Sequence, residues 1–359
     1  MSARLAGFAV GSLLFSASVL ARAEPMDPAI ERLILDGNCF SGDGAARINP
    51  AAGACKPDNR SFKRLVNQLG FALAPTAMHS ARTTGYGGFN VAIEASYTKI
   101  SSGADYWKRG TEGPVDPSTN HPSTYNESPV SLIQQYSLVL RKGFGFGLEV
   151  AGAVGFMPKS SILNGGADLR LALLEGFRTG VLGIFPDVAV GGGVRTITGT
   201  PELQLTTVGL DVQVSKPLPI QDSSVLTPWI GYQYLWIFGD SGLVDLTPGT
   251  DAQGYCNYAG SNVPGSKDPN KSYYDGQPVC KAGAGSAADF NNNTVFAPVR
   301  VHRQRLMFGA NYRYEMVTGG AQFITDIVSP SDANSGANKS DLKGEARQWT
   351  LVLQLGAHF

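Results

Sequence analysis

Apolar and polar residues alternate with a period of two along most of the chain beyond residue 84. Between Phe89 and Tyr97 the odd positions are apolar, and most of the even positions carry Asn, Glu or Ser. A strand with this pattern has one apolar and one polar face, because successive side chains point to opposite sides. The same alternation returns in residues 146–156, 207–215 and 305–315. The pattern predicts a chain built mainly from β-strands with two unlike faces.

The strands and their polar faces favour a membrane barrel over a soluble β-sandwich. The strands run for about 11 to 16 residues, longer than the usual five or six and long enough to cross a bilayer at a tilt. Their polar faces carry Gly, Ala, Ser, Thr and Gln with isolated charges, which suits a confined lumen. Trp229, Trp236 and Tyr312 lie near strand ends, as interfacial girdles do, with packed core aromatics as the alternative. We therefore predict an all-β fold, a transmembrane antiparallel up-and-down β-barrel.

The predicted strands number about ten, an even count that brings both barrel termini to the periplasmic side. Tight connections such as 142–145 and 317–320 alternate with long ones such as 101–130 and 240–298. Bacterial outer-membrane barrels have short periplasmic turns and longer outer loops. The strands are predicted near residues 86–100, 131–142, 145–157, 166–177, 186–198, 204–216, 226–239, 299–316, 319–328 and 346–359.

Charges on the polar faces are the candidate functional residues of the wall. A charge within a membrane-embedded wall is costly unless it pairs or lines water. These side chains therefore predict either a narrow pore or a network of ion pairs that fills the barrel. The two hypotheses differ in the pairing, since a fully paired lumen is closed and a continuous wetted path conducts. The predicted lumen-lining residues are Glu94, Glu149, Asp168, Arg170, Arg195, Asp211, Arg303, Arg305 and Arg313.

The chain divides into three predicted regions. Residues 1–23 combine a basic Arg4, an apolar stretch and small residues before a cleavage site, as a secretory signal peptide does. Residues 24–85 are predicted to form a periplasmic or plug segment, and residues 86–359 the barrel. Apolar residues at helical spacing in 61–74 predict an amphipathic helix with Ser61 as its cap.

The position of this helix is open among a plug in the lumen, a small periplasmic subdomain and a cap across the inner mouth. A ten-stranded lumen holds little beyond its own side chains. We therefore expect the helix at the inner mouth, on the side of the tight turns.

Four cysteines form two local pairs, each in a polar stretch. Export favours two disulfides, Cys39 with Cys55 and Cys256 with Cys280. Each would close a short loop and contribute about 3 kcal/mol on the chain-entropy estimate. Neither pair has the close Cys-x-x-Cys spacing of a zinc site, and we predict no bound metal.

The last strand has apolar residues at alternate positions and ends on Phe. This ending resembles the assembly signal of Gram-negative outer-membrane β-barrel proteins, in which the final strand engages the barrel-insertion machinery. The phrases at 83–89 and 209–212 also resemble an uncharacterised barrel family of delta-proteobacterial type. The resemblance implies residence in outer-membrane lipid and brings no known activity. The predicted assembly signal consists of Leu351, Leu353, Leu355, Ala357 and Phe359.

Composition narrows the function classes. Charged residues make up 16% of the chain, against roughly 25% in soluble domains, and the formal net charge of zero gives no electrostatic argument for nucleic acid. No nucleophile motif accompanies any of the four histidines, so we expect neither an enzyme nor a cofactor. A narrow pore or transporter for small or partly apolar solutes is the leading hypothesis. The alternative is a structural or surface-interaction barrel that acts through its long loops.

Overall fold

Ten antiparallel strands pair in chain order around a closed barrel. The structure is a computed structural model that describes residues 24–35, 56–114, 126–176, 185–221, 223–245, 256–258, 278–280 and 293–359. Each wall strand pairs with the next, and the last pairs with the first. The prediction of a ten-stranded, up-and-down β-barrel is confirmed.

The wall strands follow the predicted positions to within a few residues. An additional short strand, Leu218–Gln221, pairs with the start of the seventh. The ten wall strands are β1 (Phe89–Lys99), β2 (Leu132–Gly143), β3 (Leu148–Phe156), β4 (Leu163–Leu174), β5 (Asp187–Thr198), β6 (Leu203–Ser215), β7 (Ser224–Ser241), β8 (Val299–Tyr314), β9 (Val317–Asp326) and β10 (Trp349–His358).

The two faces of the wall differ as the alternation predicts. On β1 the outward Ile93 is 62% exposed, whereas the adjacent Glu94 is 5% exposed and faces inward. On β6 the outward Leu210 is 53% exposed and Asp211 is 6% exposed. An apolar outer face around a polar interior is the arrangement of a barrel whose surroundings are lipid.

The strand ends form two unlike mouths. At the tight-turn mouth, strands are joined by short connections such as 315–316. The first wall strand begins at this mouth, and the last wall strand ends there. Phe89 and Phe359 exchange two backbone hydrogen bonds of 3.0 and 2.7 Å there. The opposite, long-loop mouth carries the connections 100–131 and 242–298.

The prediction of a tight turn at residues 317–320 is wrong. The turn consists of Glu315 and Met316, because Tyr314 pairs with Val317. Glu315 has a φ of 49°, the left-handed conformation that two-residue hairpin loops require. The glycines that suggested a turn lie inside β9 instead.

Helix α1 spans Asn59–Ala72 and is capped by Asp58, whose side chain accepts hydrogen bonds from the backbone N–H groups of Arg60 and Ser61. Ser61 is therefore not the cap, because the Asp58 carboxylate precedes it and reaches the same free N–H groups. Two short helices, α2 (Asp105–Arg109) and α3 (Gly336–Asp341), lie in connections at the long-loop mouth.

Helix α1 lies at the long-loop mouth, opposite to the mouth we expected. Lys63 Nζ is 2.5 Å from Asp341 Oδ2 of α3, and the Arg64 guanidinium donates to the Asp341 carbonyl over 2.8 Å. The expectation failed because the lumen is not filled by wall side chains alone. It also holds a stretch of the chain, residues 73–84, which connects α1 to the tight-turn mouth.

The long loop contains a short hairpin in which Cys256–Tyr258 pairs with Pro278–Cys280. Cys256 stands opposite Cys280 in the register. Opposed residues of antiparallel strands have Cα atoms about 4.5 to 5.5 Å apart, a separation that a disulfide can span. The bond itself stays a prediction, and Cys39 and Cys55 lie outside the described residues.

Candidate functional site: a lumen occupied by the chain itself

Residues 73–84, which we call the inner segment, run through the lumen from α1 to the tight-turn mouth. Near its start, the Arg305 guanidinium of the wall donates to the Pro75 carbonyl over 2.6 Å. Near its end, the Thr84 N–H donates to Glu149 Oε2 over 2.7 Å. The last part of the N-terminal segment, residues 73–84, thus runs through the barrel.

The wall binds the inner segment mainly through its backbone. Long polar side chains from five wall strands each donate to one of its carbonyl oxygens, which satisfies groups that cannot reach a sheet or helix partner. The donors and carbonyls are Arg305 with Pro75 (2.6 Å), Gln322 with Thr76 (2.8 Å), Gln213 with Ala77 (2.9 Å), Arg141 with Met78 (3.1 Å) and Arg170 with Ser80 (2.8 Å). These contacts explain why the lumen is rich in Arg and Gln.

The wall charges are also paired with one another. The pairs are Arg141 with Glu94 (2.8 Å), Arg170 with Asp211 (3.4 Å), Arg195 with Asp168 (2.7 Å) and Arg303 with Asp326 (2.5 Å). Pairing compensates part of the cost of removing these charges from water.

The remaining predicted lumen residues have other surroundings. Glu149 binds the inner segment and lies 3.9 Å from His79 Nε2. Arg305 is 1% exposed and donates to Gln233 Oε1 over 2.8 Å. Arg313 is exposed at the tight-turn mouth. The predicted charges are therefore spread along the lumen.

Sequence reasoning missed two members of the network, Arg141 and Asp326. Both face inward and are buried. The alternation contained the signal for Arg141, since Leu138 and Leu140 are exposed on the outer face of β2. An odd step from Leu140 places Arg141 on the inner face.

Small wall residues make room for the segment. A Cβ built on Gly239 of β7 would lie 2.4 Å from Val66 Cγ1, and one on Gly320 of β9 would lie 2.5 Å from Met78 Cε. A side chain at either position would collide with the residue packed against it. At these inward glycines α1 and the inner segment lie directly against the wall.

An apolar seal closes the long-loop mouth. Helix α1 buries Phe62, Leu65, Val66 and Leu69 in one cluster with inward wall residues. The inward wall residues of this cluster include Leu203, Leu205, Leu235, Ile237, Val299 and Val301. Near this mouth the inner wall face is therefore apolar, which the sequence analysis did not anticipate. The signal was weak because β7 is apolar on both faces here, with Leu235 and Ile237 inward beside Trp236 and Phe238.

Phe71, near the end of α1, joins the seal to the polar lumen. The guanidinium carbons of Arg303 and Arg305 lie 4.8 and 5.1 Å from the centre of its ring. Cations over an aromatic face are attracted by the ring quadrupole. This contact fixes the start of the inner segment against β8.

A cluster of ionisable side chains lies where residues 24–35 meet two connections between wall strands. We call it the cap-edge cluster, and it consists of Glu31, Arg32, Glu112 and Glu202. Arg32 forms ion pairs with Glu31 (3.3 Å) and with Glu112. Burial, aided by the nearby carboxylates of Glu202 and Glu112, raises the pKa of Glu31 to about 7. Burial and Glu112 also raise the pKa of Glu202. Three carboxylates thus surround one guanidinium, and two of them have raised pKa values.

Three separate cavities, which together we call the crevice, lie in a row beside the inner segment from the tight-turn mouth. The first cavity has a volume of about 160 Å³ and is lined by His79, Arg141 and Arg313, among others. A second cavity of about 30 Å³ shares His79 and Arg141 with the first. A third, of about 10 Å³, shares Thr76 with the second and reaches Ala74. The volume of the cavities therefore decreases from the tight-turn mouth toward the apolar seal.

The predicted assembly signal lies on the outer face of β10. Leu351, Leu353 and Leu355 are exposed, and Leu355 is the most exposed of the three at 67%. Ala357 is half-buried, and Phe359 is exposed at the tight-turn mouth. The last strand therefore presents its alternate apolar residues away from the lumen.

The chain is distantly similar to several solved structures. No protein-family model matches it, and no curated protein does. Ail of Yersinia pestis, solved with the heparin analogue sucrose octasulfate, is 9% identical, with 77% of this chain and 100% of Ail covered and a TM-score of 0.24. OprG of Pseudomonas aeruginosa is 10% identical, with 78% and 99% covered and a TM-score of 0.27. The KdgM porin, solved with oligogalacturonate, is 4% identical, with 75% and 99% covered and a TM-score of 0.27.

Of these three proteins, OprG is an outer-membrane protein and KdgM is a porin. None of the helices in the described part of the chain has the length and apolar character needed to span a membrane. Within the same residues, no group of three or more His, Cys, Asp or Glu side chains is arranged to hold a metal ion.

Proposed function

We propose that the protein is an outer-membrane β-barrel that its own N-terminal segment closes, and that it passes small solutes when this segment moves. The predicted signal peptide, the apolar outer face and the terminal strand support export, contact with outer-membrane lipid and recognition by the barrel-insertion machinery. The tight-turn mouth then faces the periplasm and the long-loop mouth the outside.

The observation that carries the passage hypothesis is the crevice beside a segment held by replaceable hydrogen bonds. Each wall contact to the inner segment contributes only about 0.5 to 1.5 kcal/mol net where Gln donates and about 1.5 to 3 kcal/mol where Arg donates, since water can take its place. Burial of the four apolar side chains of α1 stabilises the closed state by about 6 to 12 kcal/mol, at about 1.5 to 3 kcal/mol each, before the entropy cost of ordering the segment. Undocking of α1 is therefore the step that opens the barrel.

The second candidate is a permanently closed barrel that acts at the cell surface through its long loops. The paired wall charges and the apolar seal favour it, because a lumen with neutralised charges and a dry end does not conduct. The two candidates differ in whether α1 ever leaves the wall.

A designed disulfide distinguishes them. The Cβ built on Gly239 lies 3.4 Å from Val66 Cβ, close to the 3.5 to 4.5 Å found across disulfides. The variant Val66→Cys/Gly239→Cys should lock α1 to β7 under oxidising conditions. The single variant Val66→Cys, treated with the same oxidant, is the matched control.

Single-channel recording in planar bilayers measures the result on the full chain. If the barrel is gated, the wild type and the control open, the oxidised double variant is silent, and reductant restores its openings. Openings in the oxidised double variant would overturn α1 as the gate. Silence of wild-type protein that is inserted and heat-modifiable, at pH 5 and at pH 8, would replace the passage hypothesis with the surface-interaction one.

A further inference from the structure

The widest part of the crevice has the features of a binding pocket in its own right. Its volume is about 160 Å³, similar to the engineered cavity of about 150 Å³ that binds benzene. It opens at the tight-turn mouth and is lined by the end of the inner segment and by wall strands from β7 round to β2. A molecule of about six non-hydrogen atoms fits such a space.

The pocket has an excess of positive charge. Arg82, Arg141 and Arg313 line it, and Glu175 is the carboxylate among its lining residues. Arg82 lies 3.6 Å from Glu175, and Arg141 is paired with Glu94 deeper in the lumen. Within the described residues, Arg313 has neither an ion pair nor a hydrogen bond. Its charge is the uncompensated one.

Neutral donors stand next to Arg313. Asn311 lies two residues before it on the same inner face of β8, and Thr227 pairs with Asn311 across β7 and β8. The Asn311 Oδ1 atom accepts a hydrogen bond of 2.9 Å from Trp229 Nε1, which leaves the amide N–H groups to point away from Trp229. Thr227 is 8% exposed. An amide and a hydroxyl beside a guanidinium are the groups that hold an oxyanion.

We propose that this pocket binds a small oxyanion, the phosphate or carboxylate group of a periplasmic molecule. Arg313 supplies the charge, and Asn311 and Thr227 supply neutral hydrogen bonds. A guanidinium binds planar or tetrahedral oxyanions through two parallel N–H donors, so an Arg without a protein partner is suited to this task. The site does not depend on conduction, because it is reached from the mouth without any movement of α1.

Isothermal titration calorimetry of the full-length refolded protein with inorganic phosphate, at low ionic strength, tests the proposal. Low salt matters because exposed charges are screened within about 10 Å at 0.1 M. We expect one saturable site, at least tenfold weaker binding in Arg313→Gln, and partial retention in Arg313→Lys. The matched control is Arg300→Gln, since Arg300 is an exposed arginine of the same strand that pairs with Asp240 near the other mouth.

Two further arms separate the sources of the anion. Acetate in place of phosphate shows whether a carboxylate is bound, and detergent micelles containing phosphatidylglycerol show whether a lipid headgroup competes. Displacement of phosphate by the lipid would assign the site to a headgroup. Arg313→Gln should then weaken the binding of phosphate and of the lipid alike. Absence of saturable binding, or an equal loss in Arg300→Gln, would overturn the proposal.

Discussion

Replacement of Glu31 by Gln should remove most of the pH dependence with which α1 docks on the wall. Glu31 packs beside Arg32, Glu112 and Glu202, and burial raises its pKa to about 7 from a usual value of 4.5. A carboxyl group whose pKa is raised in the docked state keeps its proton there at a pH where the released group has lost it. Docking is therefore fully stabilised below about pH 4.5 and weakens as the pH rises toward 7.

The difference between the two pKa values sets the size of the effect. A pKa that rises from 4.5 to about 7 on docking corresponds to about 3 kcal/mol, or a few hundred-fold in the ratio of released to docked segment. Glutamine has nearly the same shape and carries no charge, so α1 of Glu31→Gln should dock almost equally well at pH 5 and pH 8, with Glu202 left to titrate.

Amide hydrogen exchange of residues 59–72, followed by mass spectrometry and corrected for the intrinsic rate at each pH, measures the release of α1. In the wild type, the protection of these amides should fall between pH 5 and pH 8. In Glu31→Gln the fall in protection should be much smaller, and Glu127→Gln, a change at an exposed glutamate, should behave as the wild type. A wild type without pH dependence, or a Glu31→Gln variant that keeps the full dependence of the wild type, would refute the conclusion that ionisation of Glu31 weakens docking.

Three further predictions concern the wall and the loops. Leu355→Asp places a charge on the outer face of β10 and should prevent insertion, since a charge that faces lipid costs about 2 kcal/mol or more; heat-modifiable barrel in the membrane fraction would contradict this. Cys256 and Cys280 should be bonded to each other, so that loop fragments cut between them stay linked until reductant is added, and separation on a non-reducing gel would exclude the pairing. Gly239→Ala should weaken α1 docking by about 1 to 3 kcal/mol, because the new methyl group meets a stiff β-branched Val66 side chain; Val66→Ala should restore docking in the double variant, and hydrogen exchange that shows no rescue would mean that the two sites are uncoupled.

The sequence by itself determined which face of each strand meets lipid and how many strands close the wall. The alternation of apolar and polar residues is a local property of the chain. The outward position of Ile93 and the inward position of Glu94 therefore follow from the residues around them. The lumen charges could be assigned for the same reason. Their partners could not, because Arg303 meets Asp326 only through the register of two strands.

The tertiary structure alone decided what occupies the lumen and which mouth is closed. The helical spacing of residues 61–74 predicts a helix and an apolar face, but many apolar surfaces could cover that face. The seal at the long-loop mouth exists because β6, β7 and β8 bring inward apolar residues together at one end of the barrel. Similarly, Arg and Gln on a lumen wall are compatible with a water-filled pore and with a threaded segment. Only the three-dimensional path of residues 73–84 shows that the lumen holds a threaded segment. The sequence does not reveal this, because hydrogen bonds to backbone carbonyls do not depend on the side chains of the bound segment.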